Sequence, residues 1–591
     1  MTEEIKLGKE RLYNAFMIGA KAVINEKNQL NEINVFPVKD GDTGSNLSSM
    51  MTSIIQKSKI GSNLKETLDS ISNAALLGSR GNSGLIFSQF FYGFTKEFNE
   101  EYMDQNRLIM QMKQGFLSAY ESIEVPVEGT IITLMRKWFE FLKREKDNHN
   151  TLYEHLITSN NLLQEQLFVT MSELEVLKTY NVVDAGAKGF SLFIDGFVKG
   201  IVDENLKLEI TENDYETFEL AHDHIDEVIT NRFCTEILVE STMHKEDIIS
   251  EIHNLGDSIV VGESTKYRRI HLHTNTPELV IEKLKKVGKV VETKVDDMKK
   301  QSDVVNHRKH DICVVTDSIA DLPKSYIEDN QVQIFPVSIL LDDVIYYDKL
   351  TIKNEQLFNM IKESKEYPKS AAPSLISIQN LFSYLRTYYK KIIVVTVSSK
   401  MSATYNVFKK VIDTYKDDRI ALIDSKQNSV SEGLVVKAVV EMINQNMSFE
   451  EIVKKTEEIK DKTKILVHVD TLDNMVRSGR IKKSLGKLAK VLHLKPVVSI
   501  DETGEGVVLS KSIGLKNNLN KIIKMVKKAH EKYEIKNYAI VHVNNMKLAE
   551  YLKIKIIEIT GFMPDYITDI STVIAMNSGM GSVAIGYTRK D

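Results

Sequence analysis

Through about the first 200 residues apolar positions recur at helical spacing: Leu12, Phe16, Gly19 and Val23 share one face, as do Leu64, Leu68, Ile71 and Ala75. Gly78 follows the second stripe where glycine commonly ends a helix. The pattern predicts an all-helical region. From about residue 205 to 300 it shortens to β-rich runs, TEILVES, DSIVVGE and RRIHLHT, beside a helical stretch, PELVIEKLKKVG. This texture predicts a small α+β domain, and the charged stretch DDMKKQSDVVNHRKH then reads as a solvated linker. From Ile312 onward β-type runs alternate with amphipathic segments: ICVVTDS, IIVVTVSS, IALIDS, KILVHVD, KPVVSI and YAIVHVN. Several of these end in Asp or Ser, where an open α/β sheet places its ligand site. The boundaries expected from these changes are 1–202, 203–300, a linker over 301–311, and 312–591.

Composition narrows the class. A chain of 591 residues exceeds a single core, and 42% hydrophobic with 27% charged residues is globular in character. A formal net charge of −5 offers no basic footprint, so nucleic acid is not an expected partner. Cys234 and Cys313 are the only cysteines, which excludes a disulfide framework and fits a reducing compartment. The opening MTEEIKLGKE is charged where a signal peptide is apolar, and no apolar run approaches the ~20 residues of a membrane span. A cytoplasmic protein is expected, with lipid met from solution.

The candidate chemistry begins at NVFPVKDGDTGSN, where Asp40 and Asp42 lie one residue apart among glycines. A solvated turn is one reading. The other is a pair of converging carboxylates that share a hard cation such as Mg²⁺, which in turn holds nucleotide phosphates. Farther on, LLGSRGNSGLIF spaces Gly78, Gly81 and Gly84 three apart with Asn82 and Ser83, directly before an apolar run. Backbone N–H groups at such a helix entry can cradle phosphate, although close helix packing explains the glycines as well. Neither a Walker A motif nor a dinucleotide fingerprint is present.

In RRIHLHT, His271 and His273 share one face of a strand. With Cys234 they make a ligand set suited to zinc, one short of a closed structural site, which leaves a position for water or substrate. A buried cysteine beside two surface histidines is the competing reading. The C-terminal half offers hydroxyls: Ser370 in KSAAPS, and Ser398, Ser399 and Ser402 where a strand becomes a helix. These suit an anion at a helix start, or are caps and turns. Arg480 in NMVRSGRIKK adds a planar fork that matches a carboxylate. His468, His542 and Trp138 read as packing residues, and RIKKSLGKLAKV as a solvated face with a basic character suited to a membrane surface.

EGTIIT, with Thr130, and VVDAGAKGF, with Asp184 and Gly186, complete an ordered motif set in the first 200 residues. This set resembles the nucleotide-binding (DhaL-like) domain of dihydroxyacetone kinases, in the variant found in bacterial fatty acid kinases. The resemblance implies an all-α helical barrel that holds ATP through magnesium on Asp40 and Asp42. Gly78, Gly81, Asn82, Ser83, Gly84, Thr130, Asp184 and Gly186 would contact the nucleotide. Where that family carries a further upstream aspartate, this chain has Asn34. The middle region resembles the small α+β middle domain of fatty acid kinases, which supports Cys234, His271 and His273 as a functional cluster.

Residues 312 to about 588 resemble the DegV family of fatty-acid-binding proteins through TDSIADLP, SSKMSATY, IDS, RSGRI and GMGSVAIGY. That resemblance implies a two-lobed α/β domain enclosing an acyl chain, its carboxylate near Ser370, Ser398, Ser399, Ser402, Arg480 and Asn577. Ser370 stands where relatives often have Thr, Ala403 where Gly is usual, and Asn577 where many have His. The multidomain chain is therefore expected to phosphorylate a fatty acid carboxylate with ATP, Mg²⁺ and a candidate Zn²⁺. Expected partners are the fatty acid, a second copy of the chain in a homo-oligomer such as a dimer, and a downstream acyltransferase. Two alternatives stand beside this: a fatty-acid sensor with a nucleotide switch, and a kinase of a small hydroxyl compound.

Overall fold

The computed structural model describes residues 5–35, 41–123, 126–206, 229–364, 366–481 and 494–590. The chain divides into two compact units, Met1–Asn306 and His307–Asp591.

In the first unit the helices are α1 Lys9–Asn25, α2 Lys27–Glu32, α3 Thr43–Lys57, α4 Leu64–Gly78, α5 Gly81–Lys96, α6 Gln105–Glu121, α7 Ile131–Glu145, α8 Leu152–Glu173, α9 Glu175–Tyr180 and α10 Ala185–Val202. Side-chain oxygens of Asn63, Asp104, Thr151 and Asp184 accept backbone N–H groups at the starts of α4, α6, α8 and α10, which is why those helices begin there. α1 packs on α3, α3 on α4, α4 on α5, α5 on α6, α6 on α7, α7 on α8, α8 on α10, and α10 returns to α1, closing a helical barrel. Its core is aromatic: Phe16 meets Phe197 at 5.2 Å and Phe87 meets Phe193 at 5.4 Å, both edge to face. Leu12, Phe16 and Val23 on α1, and Leu64, Leu68 and Ala75 on α4, are buried as the periodicity predicts, and Trp138 is fully enclosed.

The strands β1 Phe233–Glu240, β2 Gly256–Glu263, β3 Tyr267–Thr274 and β4 Lys289–Asp297 form a sheet in the order β2-β3-β1-β4, antiparallel throughout. The helices α11 Lys245–Ile252 and α12 Pro277–Val287 pack on this sheet, and α5 packs on β2 and β3. Much of the charged stretch expected as a linker is the end of β4 and a helix, α13 Met298–Asn306, and the division between the two units falls directly after it, at His307. Its Met298 and Val304 are buried, an anchor that the surrounding Lys and Asp residues mask in the sequence.

The second unit holds strands β5 Ile312–Asp317, β6 Gln333–Phe335, β7 Ser338–Leu341, β8 Val344–Tyr347, β9 Lys369–Ala371, β10 Lys391–Thr396, β11 Ile420–Asp424, β12 Thr463–His468, β13 Leu494–Ile500, β14 Gly506–Ile513, β15 Ile535–His542, β16 Ile567–Asp569 and β17 Val583–Arg589. One lobe is a four-stranded parallel sheet, β11-β10-β5-β6; the other is six-stranded, β14-β13-β12-β17-β15-β16. In the second lobe the pairs are antiparallel except β15 with β16, so only one lobe is the open parallel sheet that the alternating pattern suggests. The helix Ser429–Asn444 touches strands of both lobes, including β5 and β17, and is buried nearly all round, as its run GLVVKAVVEMI requires. Among the described residues, no helix is long and apolar enough to cross a membrane.

Candidate functional site

In the first unit the glycine motif is the turn between α4 and α5, with only Ser79 and Arg80 outside the helices. Gly81 takes a left-handed φ of 57°, which favours glycine, and a Cβ there would lie 2.4 Å from Asn46 Nδ2 and displace that side-chain amide. The Ser83 hydroxyl lies over Gly186 at the start of α10, beside Ile131 at the start of α7. The entries of α5, α7 and α10 therefore converge, each presenting its positive dipole end, with Asp184 and Glu236 already holding some of their first N–H groups. Asn82 Oδ1 is buried without a hydrogen-bond partner among the described residues. These features fit a phosphate-bearing ligand.

The other expected nucleotide residues have visible local duties. Asp184 is buried and accepts N–H groups of Ala187, Gly186 and Ile131, joining the starts of α7 and α10; burial pushes its carboxyl up to about 6. Thr130 donates its hydroxyl to the Val127 carbonyl. Asp42 stands at the start of α3 without capping it, and Asn34 is buried. Asp40 lies outside the described residues.

The β1–β3 register sets Cys234 opposite His273 and Glu236 opposite His271, all on one face of the sheet. The candidate ligand atoms of Cys234, His271 and His273 lie within 4.8 Å of one another, with Cys234 Sγ 3.9 Å from His271 Nδ1. His271 Nε2 is buried and has no hydrogen-bond partner among the described residues. A thiol and two imidazoles with such an orphaned nitrogen fit a zinc ion and leave one position open. Burial, with the charges of Glu236, Asp296 and Asp42, drives the Cys234 thiol pKa upward, which places Asp42 in the electrostatic surroundings of this cluster.

Glu236 and Arg269, absent from the sequence expectations, link the cluster to the glycine turn. Glu236 Oε1 accepts the Gly81 N–H at 2.7 Å, and Arg269 donates to the carbonyls of Leu76 and Leu77 at 3.1 and 3.2 Å. Burial alone would raise the Glu236 pKa, but the neighbouring His271 and the charges of Lys294, Arg80 and Arg269 hold it well below the carboxylate range. The signal available in the sequence was spacing: Glu236 and Arg269 each stand two residues from a cluster member on a strand.

In the second unit a cavity of about 440 Å³ is lined by apolar side chains of both lobes, among them Val397, Ile465, Val498 and Ile574. Ser370, Ser399, Ser402, Arg480 and Asn577 line it too. Ser398 does not: it is fully buried and donates to the Gly504 carbonyl, a bond between loops that no local pattern reveals. Arg480 donates to the Ser478 carbonyl at 2.6 Å and to Ser370 Oγ at 3.0 Å. Burial lowers its pKa and no carboxylate among the described residues offsets it, so a half-buried cation faces an apolar cavity. Ser402, bonded to Thr404 Oγ1 at 2.9 Å, stands at the start of the helix Thr404–Tyr415. Asn577 donates to the Val573 carbonyl, while its Oδ1 and the Ser578 hydroxyl are buried without partners among the described residues.

Beside the cavity lie four buried carboxyl groups, none of them among the expected site residues. Asp317 accepts the N–H groups of Ile319 and Val397. Asp321 accepts the Ser429 hydroxyl and the Ser571 N–H, and Asp348 accepts the Ser318 hydroxyl and the Thr572 N–H. They tie the ends of the parallel strands to the helix Thr572–Ser578, which carries Asn577. Burial pushes Asp317 and Asp348 up to about 6 and raises Asp321 and Glu432 as well.

Family models match three successive stretches: a DAK2 domain over residues 37–199, the middle domain of fatty-acid-kinase-like proteins over 230–305, and the DegV family of uncharacterised proteins over 311–590. An uncharacterized protein of Staphylococcus aureus (strain bovine RF122 / ET3-1) is 31% identical over 311 residues, spanning 49% of this chain and 56% of that protein. Its counterpart in strain USA300 has the same identity and coverage. The chain thus spans about half the length of the curated relatives it matches. Among solved structures, a fatty acid binding DegV family protein of Streptococcus agalactiae is 26% identical, with 47% of this chain and 99% of that chain covered and a TM-score of 0.44. The fatty acid binding protein DegV of Bacillus subtilis is 23% identical over the same shares, with a TM-score of 0.43. In one polypeptide the chain therefore carries, in order, stretches that match a DAK2 domain, a fatty-acid-kinase-like middle domain and the DegV family.

Proposed function

We propose that this protein transfers the γ-phosphoryl group of ATP to the carboxylate of a fatty acid, giving an acyl phosphate for phospholipid synthesis. The observation that carries the reading is the half-buried Arg480, without a carboxylate partner among the described residues, at an apolar cavity in a chain that also holds DAK2 and fatty-acid-kinase-type middle domains.

In the second unit the cavity walls enclose the acyl chain. Arg480 with Ser370, and Ser402 at its helix start, hold the head group by charge-assisted hydrogen bonds. Fixing it there places one carboxylate oxygen for attack, and because that carboxylate is already ionised, no side chain need remove a proton. In the first unit the N–H groups of Asn82, Ser83 and Gly84 at the start of α5 orient the phosphates, and Asp42, with Asp40 and Asn34, would hold Mg²⁺. Magnesium, when bound, screens phosphate charge; zinc on Cys234, His271 and His273 would add a Lewis acid. The carboxylate oxygen forms its bond to the γ-phosphorus as the bond to the bridging oxygen of ADP breaks. The protein's contribution is positioning and charge stabilisation.

Because the acyl cavity belongs to one unit and the nucleotide residues to the other, transfer requires the two to meet, within a chain or between copies in an oligomer. Linking them raises their effective concentration toward the millimolar range. The test is γ-labelled ATP with oleate and intact protein, the acyl phosphate being trapped by hydroxylamine. Hydroxamate should form with the wild type and vanish with Asp42→Asn, while oleate binding stays unchanged. Tight oleate binding without hydroxamate from the wild type would leave a sensor, and phosphorylation of dihydroxyacetone that is indifferent to Arg480→Gln would leave a small-molecule kinase.

A further inference from the structure

Two buried charges of opposite sign bind the sheet of the first unit to the glycine turn. Arg269, 2% exposed, reaches from β3 to the Leu76 and Leu77 carbonyls in the last turn of α4. Glu236, 4% exposed, reaches from β1 to the N–H of Gly81, the first residue of α5. A helix C-terminus carries partial negative charge and an N-terminus partial positive charge, so guanidinium at one and carboxylate at the other match both dipole ends. The two side chains also pair with each other, Nη1 to Oε2 at 3.6 Å. Arg80, within the turn itself, reaches back to Glu292 at 2.6 Å and to Glu236 at 3.9 Å.

Such support has a physical purpose. The turn has glycine on both sides, and Gly81 sits at a positive φ, so its backbone loses more entropy on ordering than any other residue type would. The orphan N–H groups of α5 present a fixed cradle only if the turn is held from outside. The same strand supplies the connection to the cluster: Glu236 is two residues from Cys234 on one face of β1, opposite His271, whose Nδ1 lies 3.8 Å from Glu236 Oε1.

We propose that Glu236 and Arg269 are positioning residues that clamp the Gly78–Gly84 turn in its phosphate-accepting shape and join it to the Cys234–His271–His273 cluster. The middle sheet, as well as the helical barrel, then sets nucleotide affinity. This rests on the reading of the turn as a nucleotide site. It also means that one backbone donor at the helix entry is already satisfied by the protein, and that the N–H groups of Asn82, Ser83 and Gly84 remain for the ligand.

The test uses the full chain with Glu236→Ala, the isosteric Glu236→Gln, and Glu240→Gln as a control on the same strand, where Glu240 pairs with Lys266 at the surface. Hydrogen–deuterium exchange of peptides covering residues 78–86 is measured without nucleotide. Affinity for magnesium with a non-hydrolysable ATP analogue is measured by calorimetry, and bound zinc by inductively coupled plasma mass spectrometry. Glu236→Ala should speed exchange in this segment and weaken the analogue about tenfold, as expected for loss of a charge-assisted hydrogen bond that preorganises the site. Glu236→Gln, whose amide oxygen still accepts from Gly81, should fall between it and the wild type, and it keeps the assay usable if the alanine variant does not fold. Zinc content should be unchanged in both.

Exchange at the wild-type rate in both Glu236 variants would overturn the proposal, as would tighter analogue binding, which would make Glu236 a competitor of phosphate rather than a support. Loss of zinc in both variants would overturn it too, by making Glu236 part of the metal site. A wild type that binds no analogue would sink the nucleotide reading, and the exchange measurement would still decide whether the clamp exists.

Discussion

Arg480→Gln is the sharpest test of what the cavity in the second unit is built to hold. The guanidinium spends donors on the Ser478 carbonyl and the Ser370 hydroxyl, both neutral, and burial depresses its pKa. Its charge is therefore desolvated without compensation from the described residues. A ligand carboxylate would supply that compensation, and a hydrogen bond between charged groups contributes about 1.5–3 kcal/mol. Removing the charge should weaken fatty acid binding by about 10- to 150-fold. The methyl ester of the same acid keeps the acyl chain but lacks the charge, so its affinity should barely change. Displacement of a fluorescent fatty acid, run with acid and ester against both proteins, isolates the head-group interaction. Without ligand, Arg480→Gln should unfold no earlier than the wild type, since the variant removes a half-buried charge that lacks an ion partner. Equal losses for acid and ester, or an unchanged affinity for the acid, would show that Arg480 does not bind the head group.

A homologous series of saturated acids should gain about fourfold in affinity per methylene, from ~0.8 kcal/mol per buried CH₂, until the cavity of about 440 Å³ is filled; a flat series would contradict an enclosed acyl chain. Gly81→Ala forces a side chain to φ 57° and sets a Cβ 2.4 Å from Asn46 Nδ2. It should cost about 1–2 kcal/mol in calorimetric stability of the first unit, with weaker binding of the ATP analogue. For the second unit the sign of the pH dependence follows from Asp317 and Asp348. Their folded pKa, about 6, lies above the ordinary 3.8, so between these values the folded state holds more protons than the unfolded one. Stability should therefore fall as pH rises from about 4 to 6, by on the order of 3 kcal/mol for each group, and Asp348→Asn should flatten that slope in calorimetric scans.

How much of the fold and the site was legible in the sequence depended on the range over which each feature is encoded. The helical stripes on α1 and α4 and the strand runs around Cys234 and His271 are written in local periodicity, because burial of one face acts on residues a few positions apart. Convergence of His271 with His273 follows from strand geometry alone, and their rings stand 5.3 Å apart. Cys234 joins them only through the pairing register of β1 with β3, across 37 residues of chain. Composition misled at α13, where Met298 and Val304 bury a helix inside a charged stretch.

The order of residues fixes which chemical groups the protein owns: carboxylates and glycines near the start, a thiol with two imidazoles in the middle, hydroxyls and a guanidinium toward the end. Folding chose which of them meet. It turned Ser398 away from the cavity into a bond with Gly504, made Asp184 the joint between two helix entries, and left Arg480 facing apolar walls. It also set Arg269 on the end of α4 and Glu236 on the start of α5, on either side of the turn between them. The physical reason is that desolvation and dipole matching depend on distances through space, and residues from 155 to 193 positions apart acquire those distances only when the sheet docks on the barrel.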